Sequence, residues 1–424
     1  MRLINDLKEM YINSFIGAVG IIFLSSGIAN VFSLIFWLYM VRNLSTVEYG
    51  ILNSLFSLFM IISLPVGSLQ TVVTKFVSQF YGENSSFQKI RLFLFYIGQR
   101  ILIVFGAIFI LFVLFSQNIA SFMKIPSVSL IIVTGIAVLI IVISPIPSGT
   151  LQGLQHFPTL AVIGALVGFT KLAFGITFVA LGYSVMGAML GLILSSFLGL
   201  IITIFKIPKE LFLSKMEDTV ESKIIKPDSI YRYFVPVTVG LFCFIVLTNI
   251  DIILVKHYFS PLEAGYYSVA QMVGKIILFL PIAICVVMFP KVVNLYAQNK
   301  DTIAILKKSL TIVSILDFGG VIISILFPQF ILNVLTGKAE LQCIPLVRIF
   351  ALAMGFFALV CVLMYYHLSI HSFKFILAMV FFTFLQVILI TLFHEHLIDV
   401  LYILLFSSVL LFSIGMKFAN FYNR

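Results

Sequence analysis

Continuous runs of twenty or more apolar residues, broken by short polar segments, set the rhythm of this chain. Divided wherever charge, proline or polar clusters interrupt, it yields runs at 14–41, 50–74, 92–115, 128–151, 159–181, 184–205, 232–256, 264–289, 304–327, 344–369, 373–393 and 397–418. A helix needs about 20 apolar residues to cross the hydrocarbon layer, so each run predicts one transmembrane helix. Spanning barrels would show short alternating segments instead. The pattern therefore predicts an all-α polytopic membrane protein with twelve transmembrane helices in two six-helix lobes. Residues 1–205 would form the first lobe, 206–231 a cytoplasmic linker and 232–424 the second lobe. The apolar run from Ser14 to Val41 is too long for a cleaved signal and no small-residue cleavage site follows, so it is expected to remain as the first span.

The two halves repeat one another. Leu44-Ser-Thr-Val-Glu-Tyr-Gly50 returns as Phe259-Ser-Pro-Leu-Glu-Ala-Gly265, with Ser45, Glu48 and Gly50 matching Ser260, Glu263 and Gly265. Downstream, Leu114 to Ile119 is answered by Leu326 to Ile331, and Leu154 to Phe157 by Ile370 to Phe373. Glu48 to Phe157 spans 109 positions and Glu263 to Phe373 spans 110, which predicts a duplicated unit. Six helices per copy is an even number, so the copies share one orientation about an axis near the membrane normal.

Composition strengthens this picture. Apolar residues make up 62% of the chain and charged ones 10%, against about 25% charge in water-soluble domains. The net charge of +10 comes with no Lys/Arg tract, zinc pattern or aromatic-basic module, so nucleic acid is not an expected partner. The charge follows loop orientation instead. With the N-terminus inside, the outer segments hold only Arg42, Lys124, Lys256, Lys338 and Arg348, and the inner ones hold the great majority of the 26 basic residues. Both termini are thus expected in the cytoplasm. Cys243, Cys285, Cys343 and Cys361 stand singly and read as buried small apolar residues.

A charge at membrane depth costs about 2.5 to 3.5 kcal/mol even on lenient scales, so it faces a partner or a water-filled cavity. Five stand out: Lys171 and Lys275 near mid-helix, Arg100 on the inner half of the third span, Asp251 toward the outer end of the seventh, and Asp317 near the middle of the ninth. Lining of a basic cavity and structural ion pairing are both open for them. Arg42, Lys75 and Lys256 read as interface anchors. Gly164/Gly168 and Gly187/Gly191 permit close helix packing, and Pro65, Pro145, Pro147, Pro236, Pro281 and Pro290 mark kinks or hinges. His394-Glu-His396 lacks metal-ligand spacing, and no phosphate loop, no GxSxG and no paired carboxylate in an outer loop appears. The chain is therefore expected not to be an enzyme and to carry no cofactor or metal.

Arg42-Asn-Leu-Ser-Thr-Val-Glu-Tyr-Gly50, Asp251, Glu263-Ala-Gly-Tyr-Tyr267 and Met288-Phe-Pro290-Lys together resemble polysaccharide-transport proteins, the Wzx-type oligosaccharide flippases of the multidrug/oligosaccharidyl-lipid/polysaccharide superfamily. The resemblance covers essentially the whole chain. It implies a V-shaped pair of lobes in the cytoplasmic membrane that moves a polyprenyl-diphosphate-linked glycan to the outer leaflet by alternating access. Lys171, Lys275 and Arg100 would then bind the diphosphate, and Asp251 and Asp317 would couple transport to H+ or Na+. Membrane lipids, the lipid-linked substrate and polysaccharide polymerase or assembly proteins are the implied partners of a monomeric carrier. The first span holds no acidic residue, unlike the drug-exporting relatives, and a basic cavity would repel cationic drugs. A major-facilitator carrier, a drug or small-solute antiporter and a membrane glycan polymerase are the alternatives. The short outer loops leave the last no room for a catalytic site.

Overall fold

The computed structural model describes residues 25, 27–63, 65–82, 87–209, 211, 227–279, 282–298, 300–337 and 340–421. All regular structure among them is helical. Helix α1 covers 27–43. It is followed by α2 (Thr46–Ser63), α3 (Pro65–Gly82), α4 (Phe87–Leu114), α5 (Ser116–Phe122), α6 (Val128–Ile143), α7 (Pro145–Gly153), α8 (Phe157–Phe178) and α9 (Ser184–Phe205). The second half contributes α10 (Pro227–Leu247), α11 (Ile250–Tyr258), α12 (Pro261–Phe279), α13 (Ile282–Ala297), α14 (Ile303–Leu326), α15 (Pro328–Thr336), α16 (Cys343–Ser369), α17 (Lys374–Leu392) and α18 (Leu397–Phe421). Nine helical stretches among the described residues are long and apolar enough to cross a membrane.

Several predicted spans are broken where the sequence denies the helix a hydrogen bond. The run at 50–74 divides between Ser63 and Pro65, and that at 128–151 between Ile143 and Pro145. Proline lacks the amide that an uninterrupted helix would donate. The run at 264–289 ends its first helix at Phe279 and restarts at Ile282; Pro281 itself lies outside the described residues. Pro236 differs, standing inside α10 without ending it. Two runs predicted apart, 159–181 and 184–205, are joined by a wide turn at Val179–Tyr183, where Gly182 takes φ +90°. The start of the first predicted span and most of the linker, residues 212–226, fall outside the described residues.

Packing divides the chain into two compact units. One holds the described residues within 1–43, 65–119 and 127–226, the other those within 44–64, 120–126 and 227–424. These bounds differ from the predicted lobes: 44–64 and 120–126, assigned by sequence to the first lobe, pack with the second half. The contacts responsible are specific. Thr46 Oγ1 donates to Glu340 at 2.8 Å, Asn53 to Gln271 at 2.6 Å and Lys124 Nζ to the Phe259 carbonyl at 2.9 Å.

Small residues set the close approaches in the first unit. A side chain at Gly168 would meet the Ala29 backbone at 3.1 Å, and one at Gly191 the Gly175 backbone at 2.7 Å, so α8 is pressed between α1 and α9. Gly187 packs on Phe178, whereas Gly164 faces open space. In the second unit α16 is the central post. Phe350, Ala351, Met354, Phe357, Val360 and Met364 are fully covered along its length.

Candidate functional site

The densest polar arrangement within an apolar core lies where α10 gives way to α11. Thr248 and Asn249 interrupt the helix, and their side chains take over the backbone's task. Thr248 Oγ1 donates to the Phe244 carbonyl at 2.8 Å and Asn249 Nδ2 to that of Ile245 at 2.9 Å. Gln386 Nε2, from α17, donates to the Leu247 carbonyl at 2.9 Å. A break buried in hydrocarbon is tolerated only when its freed carbonyls find such donors.

Asn249 then presents its own oxygen to neighbours. Lys275 Nζ donates to Asn249 Oδ1 at 3.0 Å and Ser57 Oγ to the same atom at 3.3 Å. Two residues on, Asp251 occupies the first turn of α11, where the helix dipole favours a negative charge. Tyr267 OH donates to Asp251 Oδ2 at 2.8 Å, and Gln271 Nε2 lies 3.2 and 3.1 Å from the two carboxylate oxygens. Gln271 Oε1 accepts in turn from Asn53. Asp251, Tyr267 and Gln271 are fully covered, Asn53 and Asn249 nearly so, and Lys275 is half-buried.

Helical spacing assembles these groups. Tyr267, Gln271 and Lys275 recur at i, i+4 and i+8 along α12, one above the other on a single face. Asn53 and Ser57 do the same on α2. The result is a polar seam among three helices in which every hydrogen bond has a named donor and acceptor. Such networks specify one arrangement when complete and cost stability when broken. Lys275 is also within electrostatic reach of Asp251.

The five predicted residues divide between the two units. Asp251 and Lys275 share the seam, joined through Asn249 and Gln271. Asp317 lies in the same unit on α14, buried within electrostatic reach of Cys361, and neither of its oxygens has a hydrogen-bond partner. Lys171 belongs to the other unit: from α8 it donates to Ser33 Oγ at 2.6 Å and sits 5.3 Å over the Phe36 ring. Arg100, also in that unit, is exposed on α4 with its guanidinium 4.4 Å over the ring of Tyr96, one turn back.

Asn53, Ser57, Tyr267 and Gln271 were missed as functional candidates because none is charged. The four-residue spacing of Tyr267, Gln271 and Lys275 within an apolar run was the signal available. Lys256 corrects an expectation: read as an interface anchor, it is 1% exposed, held within the packed end of α11. No group of three His, Cys, Asp or Glu suited to a metal occurs among the described residues, and His394 is stacked on Tyr258 at 3.8 Å.

Comparison with known proteins matches this architecture. The family model for polysaccharide biosynthesis proteins covers residues 40–345, more than half of the chain. No curated protein matches by sequence. The fold is similar to an inward-facing multidrug resistance MATE family transporter of the MOP superfamily, at 13% identity over 92% of this chain and 94% of that one, with a TM-score of 0.73. It is similar to the lipid II flippase MurJ in an inward closed conformation, at 18% identity, 94% and 87% coverage and a TM-score of 0.67. A MOP superfamily transporter from Pyrococcus furiosus, noted for the reversed polarity of its binding pocket, matches at 14% identity over 96% of both chains with a TM-score of 0.61.

Proposed function

The chain belongs to the family of polysaccharide biosynthesis proteins, and from that membership we propose that it is a flippase carrying polyprenyl-diphosphate-linked oligosaccharide from the inner to the outer leaflet of the cytoplasmic membrane. The observation that carries this reading is the company kept by two lysines. Lys275 donates to the amide oxygen of Asn249 and Lys171 to the hydroxyl of Ser33, both neutral acceptors, with the Asp251 carboxylate within electrostatic reach of Lys275 but not bonded to it. An ammonium so held keeps its charge available for an anion, and a diphosphate crossing a low-dielectric layer requires such cations. Lys275, Lys171 and Arg100 are the proposed diphosphate contacts, while the lipid tail stays in the bilayer.

Ion coupling completes the proposal. Asp251 accepts three donor contacts and Asp317 has none, so the two carboxylates offer different chemistry to an entering H+ or Na+. Cytoplasmic termini, no catalytic activity and polysaccharide polymerase or assembly partners follow from the same reading.

The test uses liposomes holding a lipid-diphosphate oligosaccharide, with lectin accessibility followed over time for wild type, Lys275→Ala and Lys275→Arg. Transport by wild type, its loss in the alanine form and partial return with arginine support both the flippase and its charge-based headgroup contact. Equal transport by all three proteins removes Lys275 from the headgroup contact and leaves the flippase reading standing. No transport by any folded form overturns the assignment of substrate.

A further inference from the structure

We infer that Lys256 and Lys124 form a second anion site, at the junction of α11 with the segment 120–126, that takes a phosphate-class oxyanion. This site is separate from the polar seam and its reading stands whether or not the chain is a flippase. Lys256 is 1% exposed, and its Nζ is wholly covered with no hydrogen-bond partner. Lys124 is close enough for the two ammonium groups to repel each other. A buried cation with a cation for a neighbour is the arrangement that burial penalises most, unless an anion joins it.

The internal repeat shows that packing does not require the charge. In the register that aligns Glu48 with Glu263, Lys256 falls on Val41, which is buried at 8% exposure. The copy without the lysine fills that position with an apolar side chain of ordinary size. Glu263 lies within electrostatic reach of Lys124 but makes no hydrogen bond to either ammonium. That carboxylate spends its Oε2 on the Ser260 amide at 3.0 Å and the Ser260 hydroxyl at 2.7 Å.

Geometry supplies the second arm. Lys124 adopts a left-handed backbone, φ +50°, which turns the chain after α5 and brings its exposed Nζ to the Phe259 carbonyl at the end of α11. The segment is fixed there by His257, whose ring lies 3.9 Å from that of Phe122 at an interplanar angle of 9° and whose Nδ1 is 2.8 Å from the Phe122 carbonyl. An oxyanion entering beside Lys124 exchanges a neutral carbonyl for a negative charge and engages Lys256 beneath. Charge-assisted hydrogen bonds of that kind are about twice as strong as neutral ones. The source is either a soluble phosphate or a lipid diphosphate headgroup.

Lysine labelling read peptide by peptide on the purified, full-length protein tests the site locally. Inorganic pyrophosphate is expected to slow acylation of Lys124 severalfold in wild type and in Lys256→Arg, to give no protection in Lys256→Met, and to leave exposed Lys308 unchanged in all three. Nanodiscs with and without a polyprenyl diphosphate form the second arm: protection by the lipid alone assigns the site to a headgroup, and protection by both assigns it to the diphosphate itself. Equal Lys124 labelling with and without either ligand overturns the inference, as does protection that survives in Lys256→Met. Monodisperse elution of each variant guards against reading misfolding as lost binding.

Discussion

Gly50 and Gly265, the same position in the two copies of the repeated motif, meet one another inside the second unit. A side-chain carbon added at Gly50 would lie 3.0 Å from the Gly265 Cα, and one at Gly265 would collide with the Thr46 carbonyl. The contact is offset by one helical turn: Gly50 faces Gly265, and Gly265 faces Thr46. Gly265→Ala is expected to lower stability by about 1–3 kcal/mol, because the obstacle is backbone and cannot rotate away. Thermal unfolding in detergent checks this. Gly164→Ala, which points into open space, is expected to hold or raise stability in the same assay.

Both repeated motifs close as capping boxes. Ser45 Oγ donates to Glu48 Oε2 at 2.8 Å and Ser260 Oγ to Glu263 Oε2 at 2.7 Å, and each serine amide donates to the same oxygen. Ser45→Ala and Ser260→Ala are each expected to cost about 1 kcal/mol. The Ser260 hydroxyl and amide hold the Glu263 carboxyl below the usual glutamate range. A depressed folded value means that this contribution is present above the unfolded value, near 4.3, and fades as pH falls through the folded one. Melting curves for wild type and Glu263→Gln should therefore converge in acid and separate toward neutrality.

The seam predicts coupling between helices distant in sequence. Asn53→Ala leaves Gln271 Oε1 without its donor, and Gln271→Ala withdraws a donor from Asp251. Each is expected to cost about 1–3 kcal/mol, since a buried polar group left unpaired forfeits its desolvation. The double mutant should cost less than the sum, with an interaction of about 0.5–3 kcal/mol. Strict additivity in a double-mutant cycle would remove the Asn53–Gln271 bond from the account.

Asp317 and Asp251 should respond in opposite directions. Asp251→Leu abandons Tyr267 and Gln271 and is expected to destabilise. Asp317→Leu replaces a buried group that has no hydrogen bond, and is expected to raise stability by about 1–3 kcal/mol. If Asp317 couples transport to an ion gradient, this stabler protein should still exchange substrate across liposomes while losing its response to an imposed gradient. Unchanged gradient response would leave coupling to Asp251.

Hydropathy made the helices legible, and Ser-x-x-Glu-x-Gly made the duplication legible. The broken spans were harder. At Pro65 and Pro145 the residue announced itself, but Thr248 and Asn249 carry no breaker signal, because their effect depends on acceptors supplied by Phe244 and Ile245 and on Gln386 from another helix. Lys171, Lys275, Arg100, Asp251 and Asp317 were visible because charge is rare in such a chain. What they touch was not visible, since Ser33 is 138 residues from Lys171 and Asn53 is 218 from Gln271. The assignment of 44–64 to the second unit rests on the same kind of long-range contact. Lys256 was misjudged because depth in the membrane and depth in the protein are different quantities, and a linear reading measures only the first.

Asn249 is held at both ends of one small amide. Its nitrogen completes the helix through Ile245, and its oxygen is shared between Lys275 and Ser57. An anion that draws the Lys275 ammonium toward itself takes away one of the two donors to that oxygen, leaving Ser57 at 3.3 Å. Recognition of cargo and the angle at which α11 leaves α10 would then be registered by the same three heavy atoms, and a signal from one to the other would need to travel no farther than the width of an asparagine.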